Sequence, residues 1–189
     1  MIEHGGNLAK LAELAGCEPG EILDFSVNLN PLGPPPGVFE PCFRSFDRLG
    51  EYAESLVAML AERWRLPAAR IVAGNGSNLL LNLLPPLTGA KRALIVTPGY
   101  LGYAEACRNG GLPVVEFRLR EEEDFILDPA RLGDAVEPGD LVILGNPDNP
   151  TGYALPRAEL EPFVAAHPGA LFLIDEAFIE FYGEAESLA

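Results

Sequence analysis

In the second half of the chain, short apolar runs alternate with longer amphipathic stretches. Short apolar runs of strand length are followed by stretches with apolar residues at helical spacing, one beginning near residue 101 and another near Pro156. Short apolar strands that alternate with helices are typical of a mainly parallel sheet covered on both faces. We therefore expect an α/β fold, a three-layer sandwich, with strands at "RALIV", "PVVEFRL", "DLVILG" and "ALFLID".

Two segments before residue 90 extend this pattern. The run "RIVAG", residues 70–74, predicts one more strand. The run "SNLLLNLL", residues 77–84, predicts a helix that ends at Pro85 and Pro86. Prolines are expected to end it because they lack the amide hydrogen that an interior helical position donates.

The N-terminal part has a different organisation. Asn7 can cap a short helix through "LAKLAELA", and Gly16 can end it. The stretch "NPLGPPPG", residues 30–37, is rich enough in Pro and Gly to act as a stiff connector. We predict an arm with this connector over residues 1–37 and a main domain over residues 38–189. A helix through residues 51–64 is expected to face the core with an apolar stripe of Leu56, Met59, Leu60 and Trp64.

Composition argues against several classes of partner. Thirteen Lys and Arg against 28 Asp and Glu give the 189 residues a formal charge of −15, which argues against nucleic acid or an anionic membrane as the main partner. Three cysteines without C-x-x-C spacing indicate neither a disulfide framework nor a zinc site, so no metal is expected. No apolar stretch reaches the roughly 20 residues of a membrane helix, and the start lacks a secretory signal pattern. We expect a soluble cytoplasmic protein.

Small and polar residues follow the predicted strands. The segments are "AGNGSN", "TPGY", "GNPDNP" and "DEAF". In open parallel sheets, ligands gather beyond the carboxyl ends of the strands, so these segments should converge on one crevice. The segment "GNPDNPTG" is more than a plain turn, because it offers Asn146 and Asn149 as two carboxamides beside a rigid backbone.

Pyridoxal phosphate would use every group in this crevice. Gly76 and Ser77 open a helix whose free amides and positive dipole end could hold a phosphate. Tyr100 could lie flat on a pyridine ring, and Asn149 could donate to its phenolate oxygen. Asp175 ends an apolar strand, where an unpaired carboxylate is costly, and a protonated pyridine nitrogen would supply the opposite charge. This pairing makes the ring an electron sink.

These segments resemble those of fold-type I pyridoxal-phosphate enzymes of the aminotransferase class. The motifs "NPTG" and "DEAF" are shared widely in that class and imply its cofactor and its large domain, here truncated before the small C-terminal domain. The narrower signal is "HGGN" at 4–7 together with "DFSVNLNPLG" at 24–33, which is similar to threonine-phosphate decarboxylases of cobalamin biosynthesis. The resemblance covers essentially the whole chain.

The resemblance implies roles for particular residues. The implied cofactor-binding set is Gly76, Ser77, Asn78, Tyr100, Asn149, Asp175 and Phe178. Asp175 and Tyr100 are also the implied catalytic residues, and Phe178 lies where aminotransferases usually have a phenolate-binding tyrosine. His4 and Asn28 match arm positions that contact the substrate. The implied reaction is decarboxylation of L-threonine O-3-phosphate, a small phosphorylated amino acid, to aminopropanol phosphate in a homodimeric enzyme.

Two departures from the family pattern bear on activity. The family has a tyrosine that reaches the cofactor phosphate of the neighbouring subunit where this chain has Leu49, and Tyr52 is a nearby replacement candidate. The family's Schiff-base lysine lies shortly beyond the "DEAF" strand, past Ala189. Lys10 and Lys91 are the only lysines, and both positions are typical of solvated surface charges. The chain alone is therefore expected to be inactive.

Alternative functions remain open at this point. A transaminase similar to histidinol-phosphate aminotransferase would use the same cofactor site with a keto acid, and a non-catalytic truncated domain would bind a partner or itself. Taken singly, "GNGS" is often only a turn. Asp175 taken singly could cap the following helix or pair with Arg92 or Arg157. The joint occurrence of six segments in the expected order favours the cofactor site.

Overall fold

The computed structural model describes residues 6–28, 30, 32–44 and 54–189. The chain divides into two compact units, Met1–Tyr52 and Ala53–Ala189. The domain boundary expected after residue 37 stays a prediction. Within the described ranges, no helix combines the length and apolarity that crossing a membrane requires.

The first unit contains the short helices α1 (Leu8–Ala15) and α2 (Phe39–Arg44). The Asn7 side chain caps α1 as predicted, by accepting a hydrogen bond from the amide of Lys10 at 3.2 Å. Gly16 ends α1 with a φ of 67°, a left-handed conformation that favours glycine because it has no Cβ. The cap and stop signals in the sequence therefore define both ends of this helix.

The second unit is built on a four-stranded parallel sheet in the order β2-β1-β3-β4. Its strands confirm the four predicted after residue 90: β1 (Arg92–Thr97), β2 (Val114–Arg118), β3 (Asp140–Gly145) and β4 (Leu171–Asp175). The register places Gly145 of β3 beside Asp175 of β4. Because the strands are parallel, their carboxyl ends share one edge of the sheet, where ligands of such folds bind.

Helices cover both faces of this sheet. The second unit contains α3 (Glu54–Trp64), α4 (Ser77–Leu87), α5 (Leu101–Asn109), α6 (Pro129–Gly133), α7 (Arg157–Ala166) and α8 (Ile179–Tyr182). Residues of α4 and α5 pack on one face of the sheet, and residues of α6 and α7 pack on the other. Successive residues of β1 point to opposite faces. Leu94 lies in an apolar cluster with Leu160 of α7, whereas Ile95 lies in a second cluster with Cys107 of α5. The predicted three-layer α/β sandwich is confirmed.

The predicted strand at residues 70–74 is wrong. Ala68–Arg70 forms a 3-10 turn, and Ile71 is extended with φ −115° and ψ 128° but joins no strand of the described sheet. Val72 is 75% exposed. A strand requires a neighbour along its hydrogen-bonding edge, and an apolar run in the sequence does not indicate whether that neighbour is present.

Two helix predictions also need correction. Helix α4 continues through Pro85 and Pro86 to Leu87, because the φ of proline is compatible with a helix, although neither proline has an amide hydrogen to donate to the carbonyl four residues earlier. In α3, the stripe expected to face the core is largely exposed: Leu56, Met59 and Trp64 are 46, 67 and 44% exposed. Amphipathic spacing identifies an apolar helix face, but it does not show that the same chain covers that face.

A buried ion pair holds the amino end of the sheet. Nε of Arg92 donates to Oδ1 of Asp140 at 2.7 Å, and the amide of Glu137 donates to Oδ2 at 2.8 Å. Asp140 is 2% exposed. Burial alone would raise the pKa of this carboxyl, but the bonds from Arg92 and Glu137 outweigh burial and hold the pKa below its usual value. Asp140 is therefore ionised in the folded chain.

Asp140→Asn should destabilise the fold, because it leaves the half-buried guanidinium of Arg92 without its closest anion. We expect the free energy of unfolding at neutral pH to fall by about 2 kcal/mol. The pKa of Asp140 is lower in the folded than in the unfolded chain, so its contribution is complete above the unfolded pKa of about 4 and is lost as the pH falls through the folded pKa. Urea denaturation of both proteins across this pH range measures the difference.

Asp134→Asn is the matched control, since Asp134 is exposed and loses the same charge. It should change the free energy of unfolding by less than about 0.5 kcal/mol. Equal destabilisation by the two substitutions, or an Asp140→Asn effect that persists in strong acid, would contradict this account of the ion pair.

Candidate functional site

A cavity of about 160 Å³ lies at the carboxyl edge of the sheet. Its walls come from the segments after β1, β3 and β4 and from the first turn of α4. A cavity of roughly 150 Å³ holds a benzene ring, so this one has room for a single six-membered aromatic ring. The residues that line it are Ser77, Tyr100, Tyr103, Pro147, Asn149, Asp175, Ala177 and Phe178. The structure thus brings together five of the predicted site residues: Ser77, Tyr100, Asn149, Asp175 and Phe178.

Asp175 is the last residue of β4, and its half-buried carboxylate faces this cavity. Its backbone carbonyl accepts a hydrogen bond from the amide of Asn146 at 2.8 Å, which joins the ends of β3 and β4. Its Oδ1 accepts from the amide of Ala177 at 3.0 Å, and its Oδ2 accepts from the hydroxyl of Tyr103 at 2.8 Å. Both donors are neutral, so neither brings a positive charge to compensate the carboxylate.

Two other roles were considered for Asp175, an ion pair with an arginine and a helix cap, and neither is observed. Arg92 is engaged with Asp140, and Arg157 bonds to Glu161 and to the carbonyl of Ser187. Helix α8 begins at Ile179, and its first turn has no side-chain cap. The bond from Ala177 instead closes an Asx turn, in which the Asp175 side chain accepts from the amide two residues later. Neither an arginine pair nor a helix cap therefore explains this carboxylate.

A pair of tyrosines forms one wall of the cavity. Tyr100 precedes α5 and Tyr103 lies in its first turn, so their rings meet edge to face with centroids 5.4 Å apart and an interplanar angle of 83°. The Tyr100 hydroxyl donates to Oδ1 of Asn78 at 3.0 Å. A Cβ at Gly102 would overlap the ring of Tyr100, so the glycine makes room for this ring position.

Tyr103 is a site residue that the sequence interpretation missed. Its side chain is 2% exposed. Burial raises the pKa of Tyr103, and the neighbouring charge of Asp175 raises it further, so the hydroxyl remains a protonated donor. The available signal was the spacing in "YLGY", which places a second tyrosine one helical turn after Tyr100.

The two carboxamides of "GNPDNPTG" have different positions. Asn146 is fully buried and bonds twice to Leu155, accepting from its amide at 2.7 Å and donating to its carbonyl at 3.1 Å. Oδ2 of Asp148 accepts from the hydroxyl of Thr151 at 2.7 Å, and burial raises the pKa of Asp148. These bonds fix the loop from inside. Of the two amides, Asn149 lines the cavity, whereas Asn146 holds the loop in place.

The opposite end of the cavity is the first turn of α4. Gly76 precedes this 11-residue helix with a φ of 78°, and Ser77 contributes to the cavity wall. Oδ1 of Asn78 accepts from Tyr100, so the donors that Asn78 can offer to a ligand are its backbone amide and its Nδ2. The first amides of an α-helix have no partner inside the helix and favour an anion. Gly76, Ser77 and Asn78 are exposed to solvent.

No other predicted site residue is among the described residues that line this cavity. His4, Leu49 and Tyr52 lie outside the described residues. Asn28 is exposed and belongs to the first unit. Lys91 is exposed and precedes β1. The six residues of β1 at about 3.3 Å each place Lys91 roughly 20 Å from the edge that carries the cavity.

Comparison with known proteins gives matches over nearly the whole chain. The chain is 39% identical over 189 residues to the adenosylcobalamin biosynthesis bifunctional protein CobDQ of Leptospira interrogans, covering 96% of this chain and 22% of that protein. It is 35% identical over 185 residues to threonine-phosphate decarboxylase of Salmonella typhimurium, covering 94% of this chain and 50% of that protein. The chain therefore spans half the length or less of these relatives.

A solved structure also matches over most of the chain. Histidinol-phosphate aminotransferase from Sinorhizobium meliloti, solved in complex with pyridoxal-5'-phosphate, superposes with a TM-score of 0.75 at 25% identity, covering 95% of this chain and 49% of that one. The description "Aminotransferase class I and II" matches residues 22–189, which is most of the chain. The protein therefore belongs to the class I and II aminotransferase family.

Proposed function

We propose that the cavity at the carboxyl edge of the sheet binds pyridoxal phosphate. The observation that carries this proposal is the Asp175 carboxylate, which faces a ring-sized cavity that Tyr100 and Asn149 also line. A carboxylate, an aromatic face and a carboxamide match the nitrogen, the face and the phenolate oxygen of a pyridine ring. The Sinorhizobium meliloti relative, which was solved with this cofactor, supports the same assignment.

Each wall of the cavity would hold one part of the cofactor. Asp175 would face the ring nitrogen, Asn149 the phenolate oxygen and Tyr100 the ring face, with Phe178 on the wall after β4. The exposed first turn of α4 suits the phosphate, which would be held by Gly76, Ser77 and Asn78. The neutral donors to Asp175, the amide of Ala177 and the hydroxyl of Tyr103, suit a carboxylate whose charge is needed by a ligand.

The bound cofactor would supply an electron sink for breaking a bond beside an amino group. Asp175 would keep the ring nitrogen protonated by placing a negative charge beside it. Tyr100 would fix the plane of the ring, and Gly102 leaves the space that this tyrosine requires. Because Asp175 is half-buried, water would screen its charge less than at the surface.

We propose that the chain is the N-terminal part of an enzyme that decarboxylates L-threonine O-3-phosphate to aminopropanol phosphate. The arm motifs "HGGN" and "DFSVNLNPLG" and the Salmonella typhimurium relative support this substrate. His4 and Asn28 would contact the substrate, in a cytoplasmic homodimer. This chain alone would be inactive, because Lys91 lies at the amino end of the sheet and Lys10 matches no cofactor-binding position of the family.

Two other functions are alternatives. A transaminase acting on histidinol phosphate is favoured by the likeness to the Sinorhizobium meliloti enzyme. A non-catalytic truncated domain, which would bind a partner or itself, is the alternative from another class. The first alternative shares the cofactor site, whereas the second does not require one.

The cavity should bind pyridoxamine 5'-phosphate, which has the ring and phosphate of the cofactor but no aldehyde to react with Lys10 or Lys91. We expect saturable binding to the 189-residue chain. Asp175→Asn should weaken this binding about tenfold, because it removes the charge opposite the ring nitrogen. Isothermal titration calorimetry measures both affinities.

Asp134→Asn, which removes an exposed charge elsewhere, should leave the affinity unchanged. Absence of saturable binding in a chain with native circular dichroism would refute the cofactor proposal. Equal affinity in the native chain and Asp175→Asn would refute only the role given to Asp175.

Decarboxylase and aminotransferase are best distinguished in a longer protein. We expect the coding DNA to continue in frame beyond residue 189 into a Ser-x-x-Lys segment, in which the family carries its Schiff-base lysine. The encoded enzyme should release CO2 from L-threonine O-3-phosphate. His4→Ala should raise KM for this substrate. Transfer of the amino group of histidinol phosphate to 2-oxoglutarate without CO2 release would favour the aminotransferase instead. A longer protein with neither activity would favour the non-catalytic domain.

A further inference from the structure

We propose that Tyr103 is a positioning residue, whose hydroxyl holds the Asp175 carboxylate toward the ring nitrogen and so sets the preference of the cavity for a cationic heteroaromatic ring. The inference rests on the proposed cofactor site. Tyr103 contacts Asp175, the residue proposed to face the ring nitrogen. Tyr103 itself has no proposed contact with the phosphate, the phenolate oxygen or the ring face.

Two donors of different origin fix the Asp175 carboxylate. Ala177 donates its amide to Oδ1 at 3.0 Å, and it lies two residues away on the same segment. Tyr103 donates to Oδ2 at 2.8 Å from helix α5, 72 residues earlier in the chain. The bond from Ala177 moves with the segment that carries Asp175. The bond from Tyr103 therefore ties the carboxylate to the body of the fold.

Tyr103 is itself held rigidly. Its side chain is 2% exposed, and it packs among the buried residues between α5 and the sheet. Its ring meets the ring of Tyr100 edge to face, and the Tyr100 hydroxyl bonds to Asn78. A line of contacts therefore runs from Asp175 through both tyrosines to the first turn of α4. It joins the wall proposed for the ring nitrogen to the wall proposed for the phosphate.

The glycine at the end of β3 leaves space for this hydrogen bond. A Cβ at Gly145 would lie 3.3 Å from the hydroxyl oxygen of Tyr103 and 3.1 Å from Cα of Asp148. The register places Gly145 directly beside Asp175. The hydroxyl of Tyr103 thus reaches the neighbouring strand past a position where a side chain would crowd it.

The test compares two ligands in Tyr103→Phe. One is pyridoxamine 5'-phosphate, and the other is its carbocyclic analogue, in which C–H replaces the ring nitrogen. We expect Tyr103→Phe to weaken binding of pyridoxamine 5'-phosphate about tenfold and binding of the analogue less than about twofold, because only the first ligand presents a cation to Asp175. In an Asp175→Asn background, Tyr103→Phe should cause no further loss.

If Tyr103 only fills space, Tyr103→Phe would weaken the binding of both ligands equally, and that result would overturn the proposal. An unchanged affinity for pyridoxamine 5'-phosphate would also overturn it. Tyr182→Phe, which removes a hydroxyl from a half-exposed ring in α8, should change neither affinity. If Tyr103→Phe does not fold, the magnetic resonance of the Tyr103 hydroxyl proton in the native chain is the second measurement: it should shift on binding pyridoxamine 5'-phosphate but not on binding the analogue, and equal shifts would overturn the proposal.

The two proposals fail in different ways. A native chain that binds neither ligand would overturn the cofactor proposal and this one with it. A native chain that binds pyridoxamine 5'-phosphate and loses affinity in Asp175→Asn, but not in Tyr103→Phe, would overturn the role of Tyr103 alone.

Discussion

A carboxylate at the end of an apolar strand is costly unless an opposite charge or hydrogen bonds compensate it. Asp175 occupies this position, and its two oxygens receive hydrogen bonds from the amide of Ala177 and the hydroxyl of Tyr103. Both donors are neutral, so they orient the anion without cancelling it. The ring-sized cavity that the carboxylate faces is therefore the natural place for a cation, and the other walls of the cavity suit an aromatic one.

The fold brings these walls together through strand register and loop chemistry. Parallel pairing sets Gly145 beside Asp175, and the buried amide of Asn146 fixes the loop that presents Asn149. Residues that never meet the cavity thus determine its shape. The ion pair between Arg92 and Asp140 acts at the other end of the sheet, where it stabilises the fold without contacting the cavity.

Much of this arrangement follows from the sequence because it depends on local signals. Apolar runs identified four strands, and the residues directly after them identified Tyr100, Asn149 and Asp175 as cavity residues. Features that depend on distant partners were not predictable in the same way. The run at 70–74 lacks a strand neighbour, the α3 stripe is exposed, and Tyr103 matters because of a carboxylate 72 residues away. Asn146 and Asn149 look equivalent in the sequence, and only their contacts separate them.

The central claim is that Asp175 faces a protonated ring nitrogen. Nitrogen-15 magnetic resonance of ring-labelled pyridoxamine 5'-phosphate bound to the chain tests this most directly, because the shift of the ring nitrogen reports its protonation. We expect the bound ligand to show the shift of a protonated ring nitrogen at a pH where the free ligand has lost this proton. In Asp175→Asn the shift should revert to that of the neutral nitrogen. A bound ligand with a neutral ring nitrogen in the native chain would contradict it.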